Sequence, residues 1–336
     1  MWKLAIDMGS SMTKIYRADT SSGILLAEPS CVAVVGEERT VKAVGKEAKN
    51  LIGKTAEFTS IVYPVYEGEI VDLSLAVCMM KEFFNRIGVK SSSLRRAQVL
   101  FSVPCGVSEK AFSDYKSLAE ECGIKKAFFV EQPYLSATAS GAVFSEFDPV
   151  FCLDIGGGVT NIAVVSADGV IAGVSMNIGG NNMDANIVSR VAKVGNLRIG
   201  TLTAEKLKNE IGSISPIARG SMVAEGSSAE SYRPAAAAIQ ASDLTDCIRV
   251  YIDKIVEYAG MLLKKLPAEV SATVNRNGVY FSGGVMKIAG VPNYIASRLE
   301  MRYHIGEEAQ FSTVLGAGEL MRDKTLMKAF SKKDEE

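Results

Sequence analysis

The sequence predicts an α/β protein made of two related halves, and three observations carry that expectation. Apolar strand-like stretches alternate with amphipathic helical ones. A unit of strand, terminal aspartate, Gly/Ser turn and second strand occurs twice, once near the start of each half. The length of 336 residues corresponds to about two domains at ~150 residues each.

Composition narrows the functional classes. Lysine plus arginine (37) against aspartate plus glutamate (38) leaves a net charge of −1, so no overall field favours nucleic acid or an anionic membrane. No direct nucleic-acid binding is expected. Apolar residues at 48% and charged residues at 22% describe a globular chain, not a disordered one. No apolar run approaches the ~18 residues of a membrane span. Strand-like residues begin at Trp2, which predicts a protein without a cleaved leader, in the cytoplasm. The six cysteines (Cys31, Cys78, Cys105, Cys122, Cys152, Cys247) contain no CxxC pair and read as reduced core residues. His304 is the only histidine, which removes Ser-His-Asp hydrolysis and HExxH zinc chemistry unless His304 is itself the acting group.

Along the chain, Trp2–Ile6 is a strand ending at Asp7, Gly9-Ser10-Ser11 turns it, and Thr13–Tyr16 leads away with β-favouring residues. In Asp72–Ile87, Leu73, Ala76, Val77, Met80, Phe83, Phe84 and Ile87 recur at helical spacing and Gly88 stops the helix. The Met/Phe stripe reads as core and not as a membrane or cofactor face, because charged and polar residues take the opposite side. Ala97–Val103 reads as a buried strand. Ser108 caps a helix running to Cys122, with Gly123 as its C′ residue. The second acid-tipped hairpin is Phe151–Leu153, Asp154, Gly156-Gly157-Gly158 and Thr160–Val165. Gly220–Ala238, rich in Ser and Ala, reads as a mobile loop or a weak hairpin.

Strands that end in Asp and turn through Gly/Ser suit a nucleoside triphosphate. Glycines let backbone N–H groups reach phosphate oxygens that a Cβ would block. Ser10, Ser11 and Thr160 add hydroxyl donors, and Lys14 brings a positive charge toward the β- and γ-phosphates. Asp7 and Asp154 repel phosphate, so their sensible role is to hold Mg²⁺, mainly through its waters. Either turn alone is as readily an ordinary hairpin; the two together are a far stronger signal. Ala48–Thr55 imitates a P-loop but has Ala48 where the first glycine is needed, and Gly53 reads as a helix stop. Ser282-Gly283-Gly284 and Gly316-Ala317-Gly318 are, without context, routine loop glycines.

The ordered set Asp7–Lys14, Glu131-Gln132-Pro133, Asp154–Thr160, Gly179-Gly180, Ser282-Gly283-Gly284 and Gly316-Ala317-Gly318 resembles the actin-like ATPase superfamily. Within it the chain is most similar to the bacterial MreB branch, through Glu28-Pro29-Ser30, Val44–Lys49, Ile178-Gly179-Gly180 before Asp184, and Thr203–Ser213. The resemblance implies an actin-like/ribonuclease H-like two-domain ATPase fold with a nucleotide cleft between the domains, each carrying a smaller inserted subdomain. The expected division is about 1–133 plus 313–336, with an insertion at about 31–71, and about 134–312, with an insertion at about 188–250.

The resemblance also implies site roles. ATP/ADP would lie between Gly9, Ser10, Ser11 and Lys14 on one wall and Gly156, Gly157, Gly158 and Thr160 on the other. Glu205 and Lys208 would meet ribose and adenine; by spacing alone they read as a solvated i,i+3 ion pair. Gly283 and Gly284 would let the backbone lie against the nucleotide. Gln132, actin-like where MreB usually carries glutamate, would orient the attacking water. Glu131 either assists or serves as a helix N-terminal acid. Asp154 completes the expected catalytic set. Lys14 and Val159-Thr160 are also actin-like, and Asn181 replaces an acidic residue, so slow hydrolysis is expected.

The superfamily includes sugar kinases and chaperones as well as filaments. A compact chain similar to MreB throughout favours a homopolymer, because heterologous contacts that do not close give open filaments. The alternative is a non-polymerising ATPase switch or assembly chaperone acting on a protein partner. A membrane surface or membrane-protein adaptor is a further expected partner. Lys90–Arg96 is a basic loop with one leucine, and the tail Leu320–Lys333 reads as a packed terminal helix followed by solvated chain or as a short interfacial helix.

Overall fold

The computed structural model describes residues 1–54, 58–143, 148–215, 217–323 and 327. β1 (Lys3–Met8) is buried from Leu4 onward. β2 (Met12–Arg17) returns antiparallel to it, and β3 (Gly23–Pro29) continues the meander. An excursion follows through β4 (Val32–Val35), β5 (Thr40–Val44), the one-turn helix α1 (Lys46–Lys49) and β6 (Thr59–Val62), forming a small sheet with β4 in the middle. The hairpin β7 (Val65–Tyr66) and β8 (Glu69–Ile70) leads back to α2 (Leu73–Arg86), α3 (Ser91–Leu94), β9 (Gln98–Val103), α4 (Glu109–Glu121), β10 (Lys126–Glu131) and α5 (Gln132–Ala139).

The second half repeats the plan. β11 (Val150–Ile155), β12 (Thr160–Ser166) and β13 (Gly169–Met176) form a meander. Next come α6 (Gly180–Val194), β14 (Leu197–Arg198), α7 (Thr201–Ile211), β15 (Ser221–Ser228), β16 (Pro234–Gln240), α8 (Ala241–Lys264) and α9 (Ala268–Asn277). β17 (Val279–Ser282), α10 (Val291–Leu299), β18 (Tyr303–Ile305) and α11 (Ser312–Arg322) complete it. The two large sheets have the orders β3-β2-β1-β9-β10 and β13-β12-β11-β17-β18. Each is an antiparallel three-strand meander with two parallel strands added beside its first strand. Helices cover the faces, as parallel pairing requires.

The helices start and stop for identifiable reasons. Asp72 accepts the Leu75 N–H at 3.0 Å and caps α2, and Ser108 accepts the Ala111 N–H at 3.2 Å and caps α4. Gly88 and Gly123 follow these helices with φ of 73° and 79°. The Met/Phe stripe of α2 is core: Met80, Phe83 and Phe84 are buried, each contributing about 1.5–3 kcal/mol by leaving water. Each half has its own apolar core. A third cluster joins them, with Leu135 of α5 and Val314 and Leu320 of α11 packed against Leu100 and Cys152 of the two sheets. α5 runs through the expected boundary at 133/134.

Three local expectations can be set against the structure. Of the two readings of Gly220–Ala238 the hairpin holds and the mobile loop does not: β15 and β16 pair over seven positions because Met222, Ala224, Ala235, Ala237 and Ile239 alternate onto the second core. Leu94, the one apolar residue of the Lys90–Arg96 segment, is buried under α3, so that segment presents serines and basic residues to solvent. α11 ends at Arg322; of the expected tail, Lys324, Leu326, Lys328, Phe330, Lys332 and Lys333 lie outside the described residues, as does Thr55 of the P-loop imitation. No helix among the described residues is long and apolar enough to cross a membrane.

Candidate functional site

The two acid-tipped hairpins meet tip to tip. Gly9 N–H donates to the Met12 carbonyl at 3.1 Å and Gly156 N–H to the Val159 carbonyl at 2.9 Å, closing the same turn in each half. A Cβ on Gly157 would fall inside the Ser11 side chain, and one on Gly158 would lie 2.6 Å from Ser10 Oγ. Only glycine at these positions lets the tips approach this closely. Around them opens a cleft of about 520 Å³ lined from both halves. Asp7, Gly9, Ser10, Ser11 and Lys14 form one wall, and Asp154 with Gly156, Gly157 and Gly158 the other; Gln132, Glu205, Lys208, Gly283 and Gly284 line it too.

The acids occupy equivalent settings. Asp7 lies opposite Lys14 in the β1–β2 ladder, and Asp154 opposite Asn161 in the β11–β12 ladder. A serine from the neighbouring parallel strand donates to each at 2.9 Å: Ser102 Oγ to Asp7 Oδ1 and Ser282 Oγ to Asp154 Oδ1. Lys14 Nζ pairs with Asp7 Oδ2 at 2.8 Å. Burial pushes the Asp154 carboxyl up to about 6; the Ser282 hydrogen bond opposes this, the nearby Asp7 charge adds to it, and Lys14 and Asn161 pull it back. Two carboxylates sharing one cavity form a hard-oxygen donor set that suits Mg²⁺. Among the described residues no group of three His, Cys, Asp or Glu side chains could enclose an ion, so water would supply most of the coordination.

Gln132 opens α5 and sits between the acids' strands. Its Nε2 lies 3.5 Å from Asp7 Oδ1, and its Oε1 accepts from Asn161 Nδ2 at 2.8 Å. Asn161 Oδ1 accepts from the Cys105 N–H at 3.1 Å and Ser175 Oγ at 3.0 Å, which fixes which end of its amide points where. Opposite, Lys208 is held by a 2.8 Å ion pair to Asp184 and a 3.0 Å bond to the Gly180 carbonyl, all buried. Desolvation raises the Asp184 carboxyl, and the Lys208 charge opposes that. Glu205 pairs with Lys49 at 2.6 Å. Glu205 and Lys208 therefore do not pair with each other as their spacing allowed.

Two expected site residues lie elsewhere. Glu131 does not line the cleft; its carboxylate accepts the Gly106 N–H at 2.8 Å. It ends β10 one residue before Gln132, and strand alternation sends the two side chains apart. Thr160 is also absent from the lining. Its hydroxyl donates to the Ile178 carbonyl at 2.7 Å, much as Thr13 bonds Ser30 in the first half at 2.9 Å. Sequence reasoning missed Ser102, Asn161, Ser175 and the Lys49–Glu205 pair. Asn161 had a local signal, since it follows Asp154 by the interval that separates Lys14 from Asp7.

Comparison with known proteins agrees with this geometry. The profile of the MreB/Mbl protein family matches residues 1–329. The chain is 29% identical to the cell shape-determining protein MreB of Escherichia coli K12, over 87% of this chain and 88% of that one. It is 27% identical to the cell shape-determining protein Mbl of Bacillus subtilis, over 95% of each. The crystal structure of MreB5 of Spiroplasma citri bound to AMPPNP superposes with a TM-score of 0.90 at 26% identity, covering 99% of this chain and 98% of that one. A MamK double helical filament shares the fold with a TM-score of 0.79 at 18% identity, covering 96% and 99%. With its family profile spanning nearly the whole length and two sheets of one topology closing on a hairpin-lined cleft, this chain belongs to the MreB/Mbl family of actin-like proteins.

Proposed function

We propose that this chain is an ATP-binding, MreB-type protein that polymerises into cytoskeletal filaments, hydrolyses ATP slowly, and serves cell shape or intracellular positioning. The convergence of two Asp-tipped, glycine-turned hairpins on one cleft carries the reading. With Gly9 and Gly156 closing the turns, the backbone amides of Gly157 and Gly158, the hydroxyls of Ser10 and Ser11, and the Lys14 ammonium would hold the phosphates. Glu205 would accept from ribose hydroxyls, Lys208 would donate toward the nucleoside, and Gly283 and Gly284 would let the backbone pass along it.

Asp7 and Asp154 would hold Mg²⁺ through water, and the ion would neutralise charge on the phosphoryl oxygens. Gln132 would orient the attacking water in line with the γ-phosphorus. Asp154, ionised above about pH 6, would take up the proton that the water loses. Glu131 has no part in this scheme. Head-to-tail copies, not a nucleic acid, are the proposed partners, and the cytoplasm the proposed location.

The test is sedimentation and electron microscopy of the purified chain with and without ATP and Mg²⁺. Filaments that require ATP, and that Asp154→Ala abolishes, are the expected result. A persistent monomer that still turns over ATP would instead identify the non-polymerising switch.

A further inference from the structure

Lys49 sits on α1, in the small sheet inserted in the first half, and Glu205 on α7, in the second half. Their 2.6 Å contact is the one ion pair between described residues that crosses from half to half. Both side chains are about one-third open to solvent, at 28% and 34%. Glu205 also lines the cleft, three residues before the buried Lys208–Asp184 pair. The charges thus alternate from the mouth inward: Lys49, Glu205, Lys208, Asp184.

α1 is held in place for this contact. The Lys46 N–H donates to Glu28 Oε2 at 2.6 Å, and Arg86 reaches Glu28 at 3.6 Å and Glu47 at 3.4 Å. Gly45 enters α1 at φ 67°, where a Cβ would lie 2.6 Å from Glu28. A helix clamped this way presents its last residue, Lys49, at a set position, so no backbone freedom remains to be lost when the pair forms.

Resting on the nucleotide-binding reading above, we propose that Lys49 is a positioning residue for the nucleotide: its pair with Glu205 latches the mouth of the cleft and keeps the Glu205 carboxylate turned toward the ribose. A bound nucleotide leaves only when this pair parts. Because the pair is partly exposed, the latch is weak and sensitive to salt. It retards release and leaves the chemistry at the hairpin tips alone.

The experiment is stopped-flow release of etheno-adenosine diphosphate, a base-modified probe that leaves the ribose free, from wild type, Lys49→Ala and Lys49→Arg. At low salt Lys49→Ala releases about two- to fivefold faster, the range an ion pair of this exposure supports, and Lys49→Arg stays near wild type. Raising salt from about 50 to about 500 mM speeds release from wild type and Lys49→Arg but not from Lys49→Ala. Equal rates for wild type and Lys49→Ala at low salt overturn the inference, as does an acceleration that arginine fails to rescue. A wild type that binds no probe removes the nucleotide reading itself, a result distinct from unchanged release.

Discussion

In the first half Asp7 faces a lysine across its hairpin; in the second Asp154, at the same register, faces an asparagine. Three other features of the two acids match: strand end, glycine after the next residue, and a serine donor from the neighbouring parallel strand. The cationic partner gives Asp7 a counter-charge at 2.8 Å, whereas Asp154 forms no ion pair, feels Lys14 only as a weaker opposing charge, and is pushed by burial up to about 6. One fold repeat thus supplies an acid tied to a cation and an acid able to exchange a proton near neutrality. Burial is the main cause of the raised Asp154 carboxyl, and the asparagine opposite it supplies no charge to cancel that effect.

The strongest way to break that comparison is to remove the proton-exchanging acid. Asp154→Asn should slow ATP hydrolysis by about 10²–10⁴-fold, while Glu131→Gln stays close to wild type; phosphate release in single-turnover assays separates them. The same Asp154→Asn should stabilise the ligand-free protein. The native carboxyl holds its proton to about pH 6 while the unfolded one releases it near 3.8, so the native state loses stability as pH rises through that window. The variant should therefore gain about 2–3 kcal/mol at pH 8 and almost nothing below pH 4, read from denaturant midpoints. Lower activity with higher stability is the expected signature of an acid kept for function.

Glycine substitutions sharpen the comparison at the tips. A Cβ on Gly157 meets the Ser11 side chain head on, whereas one on Gly9 meets only the Met12 carbonyl at 3.2 Å. Gly157→Ala should cost about 1–3 kcal/mol, with Gly9→Ala costing less, by chemical denaturation. The smallest effect concerns Ser282, whose hydrogen bond favours the ionised Asp154. Ser282→Ala should move the acidic limb of the hydrolysis profile upward by about half a pH unit to one. Ser102→Ala should leave that limb in place.

Local patterns made much of this legible. Helical spacing located α2 to within a residue of each end, because its buried stripe is a property of consecutive residues. Both hairpins were readable for the same reason: acid, glycine turn and return strand lie within eight positions. Ser102 and Ser282 were not, since they reach the acids from strands 95 and 128 residues away in sequence, and parallel register leaves no local trace. The Lys49–Glu205 pair spans 156 residues and was invisible likewise. Glu131 was misplaced because adjacent residues at a strand-to-helix junction point to different sides, and only Gln132 points to the cleft.

The hydrogen bond between the Asn161 and Gln132 side-chain amides bears on the proposed chemistry. A glutamine that holds a water by accepting its hydrogen must offer carbonyl oxygen, and Gln132 Oε1 already accepts one hydrogen bond, from Asn161 Nδ2. Its NH₂ end faces Asp7. In the proposed scheme the Asn161 bond leaves Gln132 Oε1 one lone pair with which to accept from the attacking water, and so restricts the directions in which that water can be held.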